Sequence, residues 1–154
     1  MKYVVSRYLA LMDSQRETVF AALDRINDAQ LWQTPAPKEW SVGEILDHNY
    51  MLMASLYSAV QWLWRLNGWY GRLRRNRPFQ AEIEDLYRIP KFPHWVGFLW
   101  TPRYNSRKPV SLAGLKSETE AMHAKVRRFY ENKPEDILGN LYLYDQCLAG
   151  AISL

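Results

Sequence analysis

The architecture turns on Ser41-Val42-Gly43-Glu44-Ile45-Leu46-Asp47-His48, which opens a run that continues without proline to Leu66. Ser41 and Glu44 form a capping-box pair. The hydroxyl can accept from the Glu44 amide, and the carboxylate can reach back to the Ser41 amide. Ile45, His48, Leu52, Leu56, Ala59 and Leu63 then recur at three- and four-residue steps. That spacing predicts the apolar stripe of a long helix. Asn67-Gly68 reads as its stop. Tyr50, Tyr57, Trp62 and Trp64 spread around the remaining circumference. A helix apolar on several sides is buried on several sides. The second face is therefore expected against the following connection or a second subunit, giving a homodimer.

Upstream, Leu9, Met12, Val19, Leu23 and Ile26 repeat on one face from about Ser6 to Leu31, with no Pro or Gly between. This predicts a first amphipathic helix. Pro35 and Pro37 separate it from the second, since paired prolines stop a helix. Downstream, Ser111 to Glu131 carries Leu115, Met122, Val126 and Phe129 at helical spacing, with Thr119 among them. Lys133-Pro134 ends that helix. A fourth apolar segment, with Leu141, Leu143, Leu148, Ala151 and Ile152, runs from about Leu138 or Leu141 to Leu154. It is predicted to be helical. Between the second and third helices lie residues 67–110, with a short helix expected over Pro78–Tyr87. Short links favour antiparallel neighbours, whereas a long crossover allows parallel ones. The expected fold is an all-α four-helix bundle, up-down-down-up, in one domain spanning residues 1–154.

Composition narrows the class. The chain is 48% hydrophobic and 23% charged, which excludes a disordered or collagenous protein. Its single cysteine, Cys147, excludes a disulfide framework and a cysteine-based zinc site. Cys147 sits in apolar sequence and reads as a small buried hydrophobe. The N-terminus lacks a signal peptide's apolar core. The greasiest stretch, Met51 to Trp64, is broken by Ser55, Ser58 and Gln61 and is too short to span a bilayer. A soluble, cytoplasmic protein without a membrane segment is expected. The net charge of +4 is uneven. Arg65 to Lys108 holds ten basic and three acidic residues, a local +7, and leaves −3 elsewhere.

His48 is the sharpest candidate. An imidazole on a core stripe must find a hydrogen-bond partner or a metal. A satisfied core histidine and a metal ligand both fit, and one histidine is not a metal motif. Asp47 points roughly 100° away around the helix and reads as solvated. His94 in the crossover and His123 on the third helix read as partly exposed polar residues. Asp145 is a weaker oxygen-donor candidate. Arg72-Leu73-Arg74-Arg75-Asn76-Arg77, beside Trp69 and Tyr70, carries the charge and stacking groups that phosphates and bases use. A solvated basic segment or a site for an anionic small molecule is equally consistent. No nucleic-acid-binding motif accompanies it, so nucleic-acid binding ranks low. No Gly-rich phosphate loop or Gly-x-Ser-x-Gly is present.

Trp40-Ser41-Val42-Gly43-Glu44-Ile45-Leu46-Asp47-His48 resembles the start of the second helix in the DinB-like family of four-helix bundles. Leu138 to Asp145 is similar to the approach to that family's last helix, and Pro102 followed by Ser111 also fits. The similarity covers most of the chain. The family includes bacillithiol- and mycothiol-dependent thiol transferases and related metal-dependent hydrolases. The resemblance implies a divalent metal, nickel or zinc, held by three histidines, of which the first is His48. The other two form a His-x-x-x-His pair on the last helix, which this chain lacks. It therefore implies a transferase or hydrolase relative with an incomplete metal site. In an intact site the metal would activate a small thiol substrate, and the basic crossover would hold an acidic thiol. The alternative is a non-catalytic bundle that binds a small ligand or a protein.

Overall fold

The computed structural model describes residues 3–82, 110–145 and 150–153. Its elements are α1 (Tyr3–Leu23), α2 (Asp28–Leu31), α3 (Val42–Arg74), α4 (Leu112–Glu131), α5 (Glu135–Leu138), β1 (Tyr142–Asp145) and β2 (Gly150–Ser153). The body is helical, as expected. Among the described residues no helix is long and apolar enough to cross a membrane. Most of the crossover, His94 and Cys147 lie outside the described residues, as does the second half of the short helix expected over Pro78–Tyr87. Its first residues, up to Glu82, are not helical.

The first predicted helix is two. α1 ends at Leu23, and the chain restarts at Asn27, whose side chain accepts from the Gln30 amide at 2.9 Å. The Gln30 side chain accepts from the Asn27 amide at 3.0 Å, completing a capping box. Two local bonds thus support a separate turn where periodicity alone suggested continuity. Asp28 then accepts from the Leu112 amide at 2.7 Å and ties α2 to the start of α4. Trp32 Nε1 donates to the Val110 carbonyl at 2.9 Å beside it.

α3 begins where the capping box places it. Glu44 Oε2 accepts from the Ser41 amide at 2.7 Å, and Ser41 Oγ accepts from the Glu44 amide at 3.2 Å. It does not stop at Asn67-Gly68 but runs to Arg74. Gly71 beyond it serves packing. A Cβ on Gly71 would lie 2.9 Å from Ile137 Cγ2 and 3.0 Å from its carbonyl, so only glycine admits α5 this closely. Asn140, fully buried, donates to the Arg77 carbonyl at 3.1 Å and to the Asp136 carbonyl at 2.9 Å, fastening that junction.

The predicted α3 stripe is also corrected. Ile45, Leu56 and Ala59 are exposed, while Gly43, Asp47, Gly68 and Gly71 are buried. Both sides of α3 carry apolar residues, so periodicity could not choose between them. The close approach of Trp32 to Gly43 and of Ile137 to Gly71 did.

α4 matches its predicted span, with Ser111 Oγ accepting from the Gly114 amide at 3.1 Å. It packs against both α1 and α3. Leu9, Leu23, Leu31, Leu115, Met122, Ile137, Leu138 and Leu141 form the buried apolar core. Truncating the fully buried Leu31 or Leu115 to Ala costs about 2–5 kcal/mol.

The fourth segment is corrected too. α5 is one turn and ends at Gly139-Asn140, and β1 pairs antiparallel with β2, Tyr142 opposite Ser153 and Asp145 opposite Gly150. An apolar run this short suits a strand as well as a helix, and Tyr142-Leu143-Tyr144 favours the strand.

Candidate functional site

A groove of about 570 Å³ opens between α1, α3 and α4. Arg16, Asn49, Tyr50, Thr119 and His123 give it polar groups, and Phe20, Met53 and other side chains give it apolar ones. The helices place these groups by simple spacing. Asp13 and Arg16 stand three residues apart on α1. Thr119, His123 and Arg127 stand four apart on α4, so they share a face.

Arg16 Nη1 donates to Asp13 Oδ1 at 3.0 Å and lies 3.3 Å from His123 Nδ1. Arg127 grips the other Asp13 oxygen, Oδ2, and donates to Glu131 at 3.1 Å. Glu17 lies 4.0 Å from Arg16 Nη2 on the solvent side. One carboxylate thus bridges two guanidiniums. Arginine only donates, so Nδ1 of His123 is the acceptor in its contact and Nε2 carries the proton. Burial holds the His123 pKa below its ordinary 6.5, and Arg16 and Arg127 add to that against the opposing pull of Asp13. His123 is therefore buried and neutral, not the partly exposed residue expected. Among the described residues Arg16 is the one charged side chain on the groove wall.

A second, largely apolar cavity of about 240 Å³ lies across α1 and α4, with Tyr8, Phe79, Val126, Tyr130 and Leu138 around it. Burial pushes the Tyr130 phenol up, so it stays protonated at neutral pH.

His48 is elsewhere. Its ring meets Trp40 edge to face, with centroids 5.0 Å apart and planes at 69°. It is not among the groove's lining residues. Asp47, expected to be solvated, is buried. Among the described residues no three of His, Cys, Asp and Glu stand together as a metal would require. Within the described residues His48 is not joined by the further ligands that a divalent metal needs. Asp145 belongs to β1. The basic run at the end of α3 is partly engaged in structure. Arg75 Nε donates to Asp136 at 2.9 Å, and Arg74 donates to the Tyr70 hydroxyl at 2.7 Å while lying over its ring.

No family model, curated protein or solved structure matches the chain. The groove must be read from its own chemistry. Sequence reasoning missed it because its polar members sit on different helices. The available signal was Thr119 and His123, two polar residues beside an apolar stripe on α4, facing an Asp13/Arg16 pair on α1 of the same spacing class.

Proposed function

We propose that the chain is a DinB-like helical protein that binds a small organic monoanion in the α1/α3/α4 groove. The observation that carries this reading is Arg16, held at the wall of the groove by Asp13 and by the neutral His123. The groove's volume lies within the range of small-molecule sites. Its guanidinium is anchored from behind and so is preorganised for a carboxylate, whose charge-assisted bonds are strong. Met12, Val19, Phe20 and Met53 suit a short apolar body. An acidic low-molecular-weight thiol belongs to this class, which joins the groove to the family resemblance without requiring a metal.

Calorimetric titration with N-acetylcysteine and with its neutral methyl ester tests the reading in the presence of a chelator. The acid binds saturably, the ester at least about tenfold more weakly, as expected when an ionic contact of some 1.4 kcal/mol or more is lost. Equal binding of acid and ester, or binding unchanged in Arg16→Gln, would remove the anion site. The transferase or hydrolase reading rests on the Trp40-to-His48 motif and needs ligands beyond His48. Nickel or zinc at about one equivalent per chain, lost in His48→Ala, would replace the binding reading.

A further inference from the structure

The longest helix contributes no large apolar side chain to the buried core of the described residues. Tyr57 and Trp64 meet Phe129 of α4, and Leu52 and Leu56 border a cavity with Val126 and Tyr130, but a further apolar row turns away from α4. Ile45, Leu52, Ala59, Leu66 and Leu73 recur every seven residues, and Leu56 and Leu63 interleave at the four-residue offset. Trp62 and Trp69 flank this seam one heptad apart. Leu52 and Leu63 are half-buried, and the rest is open to solvent, with Trp62 exposed by 59%, Leu66 by 64%, Trp69 by 59% and Leu73 by 76%. Four consecutive heptads of this kind are the pattern of a helix that pairs with another helix. At 1.5 Å per residue the seam is about 42 Å long and about 10 Å wide, roughly 400 Å² in projection. Apolar patches of that size mark interaction surfaces.

We propose that this face is the interface of a symmetric dimer in which α3 packs antiparallel against α3 of a second copy, centred on Ala59. Three features select that occupant. The seam is its own mirror in sequence. About Ala59, Ile45 falls opposite Leu73 of the partner subunit, Leu52 opposite Leu66 of the partner subunit, and Leu56 opposite Trp62 of the partner subunit. The residues at the crossing, Ser55, Ser58 and Ala59, are small and let the two backbones approach, while the bulky side chains lie towards the ends. Charge is complementary only in this direction. Glu44 in the first turn of α3 meets a last turn carrying Arg72 and Arg74, and the helix dipoles oppose. A parallel pair would set Arg65 and Arg72 against their own copies. A two-fold axis makes every such contact twice, which is the usual geometry of homodimers.

Sedimentation equilibrium from low to high micromolar concentration tests the proposal, with helicity by circular dichroism as the control for folding. The native chain sediments as two copies. Leu66→Glu sets an unpaired charge against Leu52 of the partner subunit at both ends of the seam and weakens association by about 100-fold or more. Leu11→Glu, on an exposed face of α1, leaves it unchanged. Register is read by cross-linking in a Cys147→Ser background with a short bismaleimide. Ala59→Cys links to its own copy, and Leu73→Cys links to Ile45→Cys but not to itself. A single-chain mass at every concentration overturns the proposal and leaves the face to residues 83–109 of the same chain. A dimer indifferent to Leu66→Glu, or one in which Leu73→Cys links to itself, overturns it as well.

Discussion

His48 and His123 both sit on long helices and are both at least partly withdrawn from water, but their neighbours differ in kind. His48 stands one turn into α3 with an indole ring at its edge and a capping box beneath it. That ring contact is local in sequence, eight residues upstream of His48. His123 stands in the middle of α4 and meets Arg16 from α1, which in turn shares Asp13 with Arg127. Its surroundings exist only once two helices have packed. The first arrangement stabilises the start of a helix. The second sets a charged donor at the wall of a groove. A histidine in a recognisable motif can thus meet a neighbour from its own stretch of chain, while one without a motif joins two helices.

Four substitutions or conditions sharpen that contrast. Asp13→Ala should have the largest effect, because it leaves two guanidiniums facing each other beside a buried imidazole. A loss of about 2–3 kcal/mol is expected from the unsatisfied groups, read as a lowered urea midpoint at constant slope. On the His48 side, Ser41→Ala removes the cap of α3 and costs about 1 kcal/mol, with N-acetylcysteine binding retained in calorimetry. Trp40→Leu removes the ring that meets His48 edge to face and costs roughly 0.5–1.5 kcal/mol, again without touching the groove. Loss of binding in either variant would merge two regions that are held here to be separate.

The smallest effect is one of pH. The His123 pKa is lowered in the folded chain, so the unfolded state takes up a proton first on acidification. Stability from this group is complete above about 6.5 and falls as pH drops below that value towards the folded pKa. Protonation also removes the Nδ1 acceptor from Arg16 and adds a charge facing Arg16 and Arg127, which Asp13 opposes. His123→Gln should flatten the slope of stability between neutral pH and pH about 5. Thermal unfolding across that range reads the change.

What could be read in the sequence was what is local. The capping box at Ser41 and Glu44 and the start at Ser111 marked two helix beginnings correctly, because each depends on residues three apart. The end of α3 was misread because Asn67-Gly68 looked like punctuation. The helix runs past it to Gly71, where α3 admits Ile137. The stripe of α3 was assigned to the wrong side because the helix carries heptads on both. The fourth segment was read as helical because a short apolar run does not distinguish helix from strand. The cluster of Asp13, Arg16, His123 and Arg127 joins residues more than 100 positions apart, and no spacing rule reaches across that distance.

The most direct test follows both imidazoles at once. Proton–nitrogen correlation spectra of the histidine rings, recorded while N-acetylcysteine is added, report each environment separately. The account predicts that His123 starts as the neutral tautomer protonated at Nε2, that its ring signals move saturably, and that those of His48 stay still. Movement of His48 with His123 unmoved would contradict it and return the site to the start of α3.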